Sequence, residues 1–189
     1  MQTAHELFLH ELSDMLDAER KIAEALEQQE QESSVSALGK AFGKHRQQTE
    51  KQIERLEQCF SELGQEPEQT ECDGIKGLIE EHDHMKEEDP APDILDMFNA
   101  TAACKVERYE ITSYESLIRM AGMMGHKKAA KLLRDNLKEE QQTLKIMQQF
   151  SRKLKPENLG MEEEEQEGAE VQSISRGRSS SRQRSRKAA

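Results

Sequence analysis

The sequence contains no tryptophan, only two tyrosines and five phenylalanines, and three valines (Val35, Val106 and Val171). Strands draw on β-branched and aromatic residues that pack on a pleated surface, so a β-sandwich, a barrel and a doubly wound α/β sheet are excluded. Cysteine is scarce too. Cys59, Cys72 and Cys104 are odd in number and form no C-x-x-C pair. That argues against a disulfide scaffold or a structural zinc site and for a reducing, cytoplasmic setting. No unbroken apolar run reaches the ~18 residues a membrane span needs. The stretch from Met1 to Leu16 has no Lys or Arg and no continuous apolar segment, so it does not read as a signal peptide.

What the chain does have is charge and helix formers. Charged residues make up 34% of its 189 positions, the formal net charge is −11 and the mean hydropathy is −0.94. Leu, Ile, Val and Phe together number only 34, so a fold depends on how those few are spaced. Their spacing is helical. Phe8, Leu12, Met15, Ile22 and Leu26 recur at three- and four-residue steps and predict a helix from His5 to Gln31. Ser33 and Ser34 are N-cap candidates for a second helix carrying Leu38, Phe42, Leu56, Phe60 and Leu63, closed by Gly64. A third helix follows Pro90 and Pro92 and runs to Met124, Gly125 breaks it, and a fourth spans His126 to Lys155 ahead of Pro156. Between the second and third lies a long connection with a short helix, Asp73 to Lys86, whose inner face is Ile75, Leu78 and Ile79. A connection of this length carries the chain from one end of a bundle to the other. The expected fold is therefore an all-α, ferritin-like antiparallel four-helix bundle with a long crossover.

Composition changes after Pro156. Residues 162–170 hold six Glu, and 176–187 hold five Arg and Lys187 among Ser and Gln. Neither block can bury an apolar face, so residues 1–155 read as the bundle and 156–189 as a disordered tail.

Polar residues that interrupt the apolar stripes carry the functional signal. Glu19 falls between Met15 and Ile22 on the first helix, Glu107 and Glu110 lie inward on the third, and Glu140 lies between Leu137 and Leu144 on the fourth. The second helix is interrupted by His45, by Gln48 or Thr49, and by Gln52. Counting from the two helix turns places these residues at similar axial levels, so four carboxylates and an imidazole converge on one layer. Buried carboxylates without compensation are costly, and oxygen and imidazole ligands on facing helices are how bundle cores hold iron or manganese. The plainer alternative is ordinary ion pairing with Arg20, Lys105, Arg108 or Lys138. His82 and His84 do not share a helix face and read as solvated. His5, His10 and His126 sit near helix ends as surface or capping groups, and Met120, Met123 and Met124 read as core and turn packing.

At these positions the segments LFLHELSDMLDAERKI, GLIEE, KVERYEITSY and LLRDNLKEEQQT resemble the bacterial YciE/YciF-like ferritin-like proteins across about residues 5–154. The resemblance implies a homodimer, a cytoplasmic stress-associated role and a di-iron centre. It implies metal ligation by Glu19, His45, Glu107, Glu110 and Glu140. The second helix departs from that pattern: where relatives show H-L-E-E-T this chain has H-R-Q-Q-T, so Gln48 stands where a metal-facing Glu is expected. Leu144 similarly replaces a common Asp. The functional expectation is a metal-binding bundle with weak iron-oxidising or peroxide-consuming activity, Tyr109 and Tyr114 lying near the metal. Its rival is a metal-poor dimeric interaction module. The dimer face is expected on the first two helices through Leu7, Leu9 and Leu16. Nucleic acid contact is expected only from residues 176–187, because the acidic bundle repels phosphate.

Overall fold

The computed structural model describes residues 1–157 and 159, and no strand forms among them. The five helices are α1 (Ala4–Glu32), α2 (Ser36–Leu63), α3 (Asp73–Glu87), α4 (Pro92–Met123) and α5 (Lys127–Lys153). Helix α1 starts on a reciprocal cap. Thr3 Oγ1 accepts from the Glu6 amide at 3.1 Å, and the Glu6 carboxylate accepts from the Thr3 amide at 3.2 Å. Helix α2 ends at Gly64, whose φ of +65° lets its own amide and that of Gln65 return to Ser61 and Phe60 carbonyls. Pro92 opens α4, where its missing N–H costs no helical bond.

The capping expected at the start of α2 does not occur. Val35 is the N-cap and makes no side-chain cap bond. Ser33 Oγ instead donates back to the Gln29 carbonyl. The Ser34 hydroxyl and the Ser34 and Val35 amides all donate to Asp96, a fully buried carboxylate on α4. A long-range carboxylate has taken over the duty of a local serine.

α1 and α2 form one antiparallel hairpin and α4 and α5 the other, with α1 packed on α4 and α2 on α5. Cross-links give the directions: Asp14 to Tyr109 and Glu32 to Asn99 join α1 and α4 antiparallel, while Gln48 to Thr143 and Arg55 to Asn136 do so for α2 and α5. The crossover helix α3 lies along the α1–α4 groove. Ile75 is buried there, and Lys105 of α4 bonds Glu81. At Gly74 a Cβ would come within 2.6 Å of the Tyr109 ring, so any other residue there forces that ring to move.

The core is thin: its largest fully buried side chains include Tyr114, Phe8, Phe42, Phe60, Leu12 and Met15, with alanines between. Three expectations need correction here. Leu16 is only 1% exposed, so it belongs to this core and cannot form a dimer face. Met123 is 66% exposed, at the end of α4 just before the α4–α5 turn, and only Met120 of its group is buried. His82 is not solvated but buried between α3, α1 and α4. The stretch 176–187, and nearly all of the 156–189 tail, lie outside the described residues.

Candidate metal centre

The stripe geometry turns one polar layer inward at mid-bundle. Glu19 comes from α1, His45 from α2, Glu107 and Glu110 from successive turns of α4, and Glu140 from α5. All four carboxylates are fully buried and His45 is 4% exposed. One ligand atom from each of His45, Glu107, Glu110 and Glu140 lies within 4.8 Å of every other. His45 Nδ1 is 3.4 Å from Glu107 Oε1, and His45 Nε2 is 3.5 Å from Glu140 Oε2. Both distances exceed ordinary hydrogen-bond length.

Glu19 sits at the edge of this group. Its Oε1 accepts the Tyr114 hydroxyl, and Tyr114 in turn accepts from Asn136 Nδ2 at 2.9 Å. From there the chain of contacts continues outward. Arg55 donates to Asn136 and makes a two-pronged contact to Glu139, at 2.7 and 2.9 Å. Gln52 donates to both Glu139 and Glu140. Tyr114, Asn136 and Gln52 thus hold the inner carboxylates in place and link them to one half-buried cation. Tyr109 lies elsewhere, beside Cys72 and Asp14.

Sequence reasoning missed Asn136 and Thr143. The signal was available, since 136, 140, 143 and 147 follow a four-three-four spacing and all four side chains are buried. On α2, it is the buried Gln52 that touches Glu140, while Gln48 is half-buried with its Nε2 3.4 Å from Thr143 Oγ1. The proposed surface partners are engaged elsewhere: Arg20 pairs with Glu57 and Lys105 with Glu81, and Arg108 and Lys138 are exposed.

The layer is therefore left short of partners. Both oxygens of Glu107 and Glu110, both nitrogens of His45, Glu19 Oε2, Glu140 Oε2, Thr49 Oγ1 and Gln52 Oε1 are buried without a hydrogen bond. Native interiors leave only on the order of a few such atoms per 100 residues, so their concentration in one layer calls for an explanation. Burial, reinforced by the Glu140 charge, pushes the carboxyls of Glu19, Glu107 and Glu110 well above the usual range. Burial also raises the Tyr114 phenol, with Glu19 adding to the effect. The donor set, carboxylate oxygens plus an imidazole, suits a divalent first-row metal, and the residues present fit one.

Fold and site together define an all-α protein, a ferritin-like four-helix bundle whose interior carries a buried His–Glu cluster able to hold a metal ion. Residues 3–160 match the family described as Domain of unknown function (DUF892), and the chain belongs to that family. It is similar to Protein YciF of Escherichia coli (strain K12), 38% identical over 144 residues that cover 76% of this chain and 87% of that protein. The crystal structure of the E. coli stress protein YciF superposes with a TM-score of 0.77 at 35% identity, covering 80% of this chain and 96% of that one. The structure of YcfI from Rhodopseudomonas palustris gives 0.76 at 36% identity, covering 78% and 94%. Among the described residues no helix is long and apolar enough to cross a membrane.

Proposed function

We propose that this protein binds iron or manganese between α2, α4 and α5, with His45, Glu107, Glu110 and Glu140 as ligands and Glu19 beside them, and that it handles redox-active metal under stress. The observation that carries this reading is the set of unpartnered, fully buried carboxylate and imidazole atoms, which a cation satisfies at once. Iron or manganese held there supplies one-electron chemistry toward dioxygen or peroxide. The protein's part is to exclude water, to orient Glu19 through Tyr114, and to orient Glu140 through Gln52. The stress role is carried over from the E. coli relative, which is described as a stress protein.

The ligand count limits the capacity. With Gln48 and Gln52 neutral, the layer has at most four carboxylates and one imidazole, so two divalent ions are under-neutralised. Fewer than two tightly held ions per chain are expected, with slow iron oxidation. Glu107→Ala and Glu140→Ala should each abolish binding in equilibrium dialysis against Mn(II). Unchanged metal content in both contradicts the assignment. The neutral amides of α2 favour the second reading, a metal-poor interaction module, which predicts no metal at all. Self-association as a homodimer is proposed through the outer faces of α1 and α2, where Leu7 of α1 is 40% exposed and Leu9 half-buried. Sedimentation showing only monomer at micromolar concentration contradicts it.

A further inference from the structure

Charge is unevenly shared among the helices of the bundle. α1 carries nine acidic residues against two basic ones, and α3 five against two. α5 is the reverse, with eight Lys and Arg against three acids, of which Glu140 is buried and Glu139 is paired with Arg55. At about 100° per residue, Lys127, Lys131, Arg134, Lys138, Lys145 and Arg152 fall within an arc of roughly 60°. That arc lies opposite the buried stripe through Leu133, Glu140 and Met147. All six are exposed, and among the described residues none of them has an ion-pair partner. Gln141, Gln142 and Gln149 complete the face, and Asp135 only flanks it. The stripe is about 38 Å long. It costs the helix stability. Like charges three and four residues apart repel, and Lys127 and Lys128 occupy the first turn, where the helix dipole favours acids.

From this one-signed stripe we infer that the outer face of α5 binds the phosphate backbone of a nucleic acid duplex, without regard to base sequence. A linear row of cations complements a linear polyanion, and backbone binding needs no apolar anchor. A protein partner is the poorer match, because stable protein interfaces centre on buried aromatic and aliphatic side chains. The stripe offers none: Ile146, 40% exposed, lies about a quarter turn away. The net charge of −11 does not forbid the contact. Its acidic surplus sits on α1, diagonal to α5 across the bundle, and on α3 in the α1–α4 groove. At packed-helix spacings most of those acids are roughly 20 Å from the stripe, beyond two Debye lengths of about 8 Å. The repulsion expected from overall charge is thus confined to the other side of the bundle. This binding is independent of the metal.

The test titrates the full chain into a fluorescent DNA duplex of about 24 base pairs and follows anisotropy from about 50 to 200 mM salt. Saturable binding is expected, with log K falling against log salt at a slope of about −5, or about a thousandfold across that range. Two unrelated sequences should bind alike. The combined variant Lys131→Gln, Arg134→Gln, Lys138→Gln should flatten the slope by about three, and Lys138→Gln alone by about one. The control is Lys40→Gln, Lys44→Gln, Lys51→Gln on α2, which removes equal charge from a face mixed with Glu50, Glu54 and Glu57. It should change the slope by less than about one. All six positions are exposed, and helicity checks that each variant is folded. Binding should persist when the five arginines between 176 and 186 are changed to Gln in the full chain. No saturable binding at 50 mM salt, a slope indifferent to the α5 substitutions, or equal flattening by the α2 control overturns the inference. So does binding lost with the tail arginines, or binding to polyglutamate or phosphatidylserine vesicles as tight as to the duplex. Metal-free and metal-loaded protein should bind alike, so failure of the metal reading leaves this result standing.

Discussion

Two buried polar clusters flank the groove between α1 and α4, and they are opposites. Near the C-terminal end of α1, Glu32 accepts from Asn99 Nδ2 at 3.0 Å and pairs with Lys86. His82 Nε2 lies 3.1 Å from Glu32 Oε1 and 2.8 Å from Asn99 Oδ1. Both contacts are acceptors, so that nitrogen carries the hydrogen. Burial pushes the Glu32 carboxyl up, but the bonds from His82, Lys86 and Asn99 outweigh it and hold the group at about 2. Along the same helices, at mid-bundle, Glu19, Glu107 and Glu110 move the other way, pushed up by burial and then by the Glu140 charge. The same residue type in the same bundle is thus stabilised at one level and penalised at the other. The satisfied cluster pins the crossover helix, and the unsatisfied one is where a bound cation is proposed.

The largest effect expected from this contrast is one of opposite sign. Glu32→Leu strands a buried imidazole and should destabilise the protein by about 3 kcal/mol, toward the low end for broken buried pairs because Lys86 is partly exposed. Glu110→Leu removes an uncompensated carboxylate and should stabilise the metal-free protein by about 1–4 kcal/mol. Urea unfolding of both variants measures this directly. Equal destabilisation by the two would erase the distinction.

Metal should then reverse the second result. At a free concentration about 100 times its dissociation constant, Mn(II) should stabilise the wild type by about 2.7 kcal/mol and Glu110→Leu by much less. Thermal melts with and without Mn(II) give the comparison.

The pH dependence separates the clusters further. Glu32 falls from its ordinary 4.5 to about 2 on folding, so its contribution is present above pH 4.5 and is lost as pH falls toward 2. His82 is raised above 6.5, chiefly by its bond to Glu32, against the opposing effect of burial. Its contribution is complete below pH 6.5 and is lost as pH rises through the folded value. The stability difference between wild type and His82→Leu should therefore be greatest between about pH 4.5 and 6.5 and shrink at higher pH. Unfolding curves at pH 5.5 and 9 check it. A constant difference would mean that His82 does not titrate within this cluster.

The helices were legible because their evidence is local. The stripes through Phe8, Leu12, Met15 and Ile22, and the break at Gly64, need only spacing and one left-handed residue. The inward carboxylates were legible for the same reason: a Glu at a core position stands out against Leu and Ile. What sequence could not reveal depended on partners far along the chain. Ser34 looks like a cap until Asp96, 62 residues away, claims its hydroxyl. His82 looks solvated until Glu32 and Asn99 enclose it. On α2, Gln48 and Gln52 lie about one turn apart on nearly the same face, and the axial register of α2 against α5 decides which of them reaches Glu140.

That last distinction gives the smallest prediction. Gln52→Glu places a fifth carboxylate against Glu140 and should raise metal occupancy, and Gln48→Glu, which is only half-buried beside Thr143, should raise it less. Elemental analysis of the two variants ranks them. Larger uptake by Gln48→Glu would place the missing ligand one turn earlier on α2.

If the unpartnered layer holds a cation, that cation can be counted. Anaerobic loading of the purified chain with Fe(II), followed by desalting and elemental analysis, should leave about one iron per chain and fewer than two. It should leave none in Glu107→Ala. Iron at background in the wild type, or equal iron in both proteins, would contradict the account.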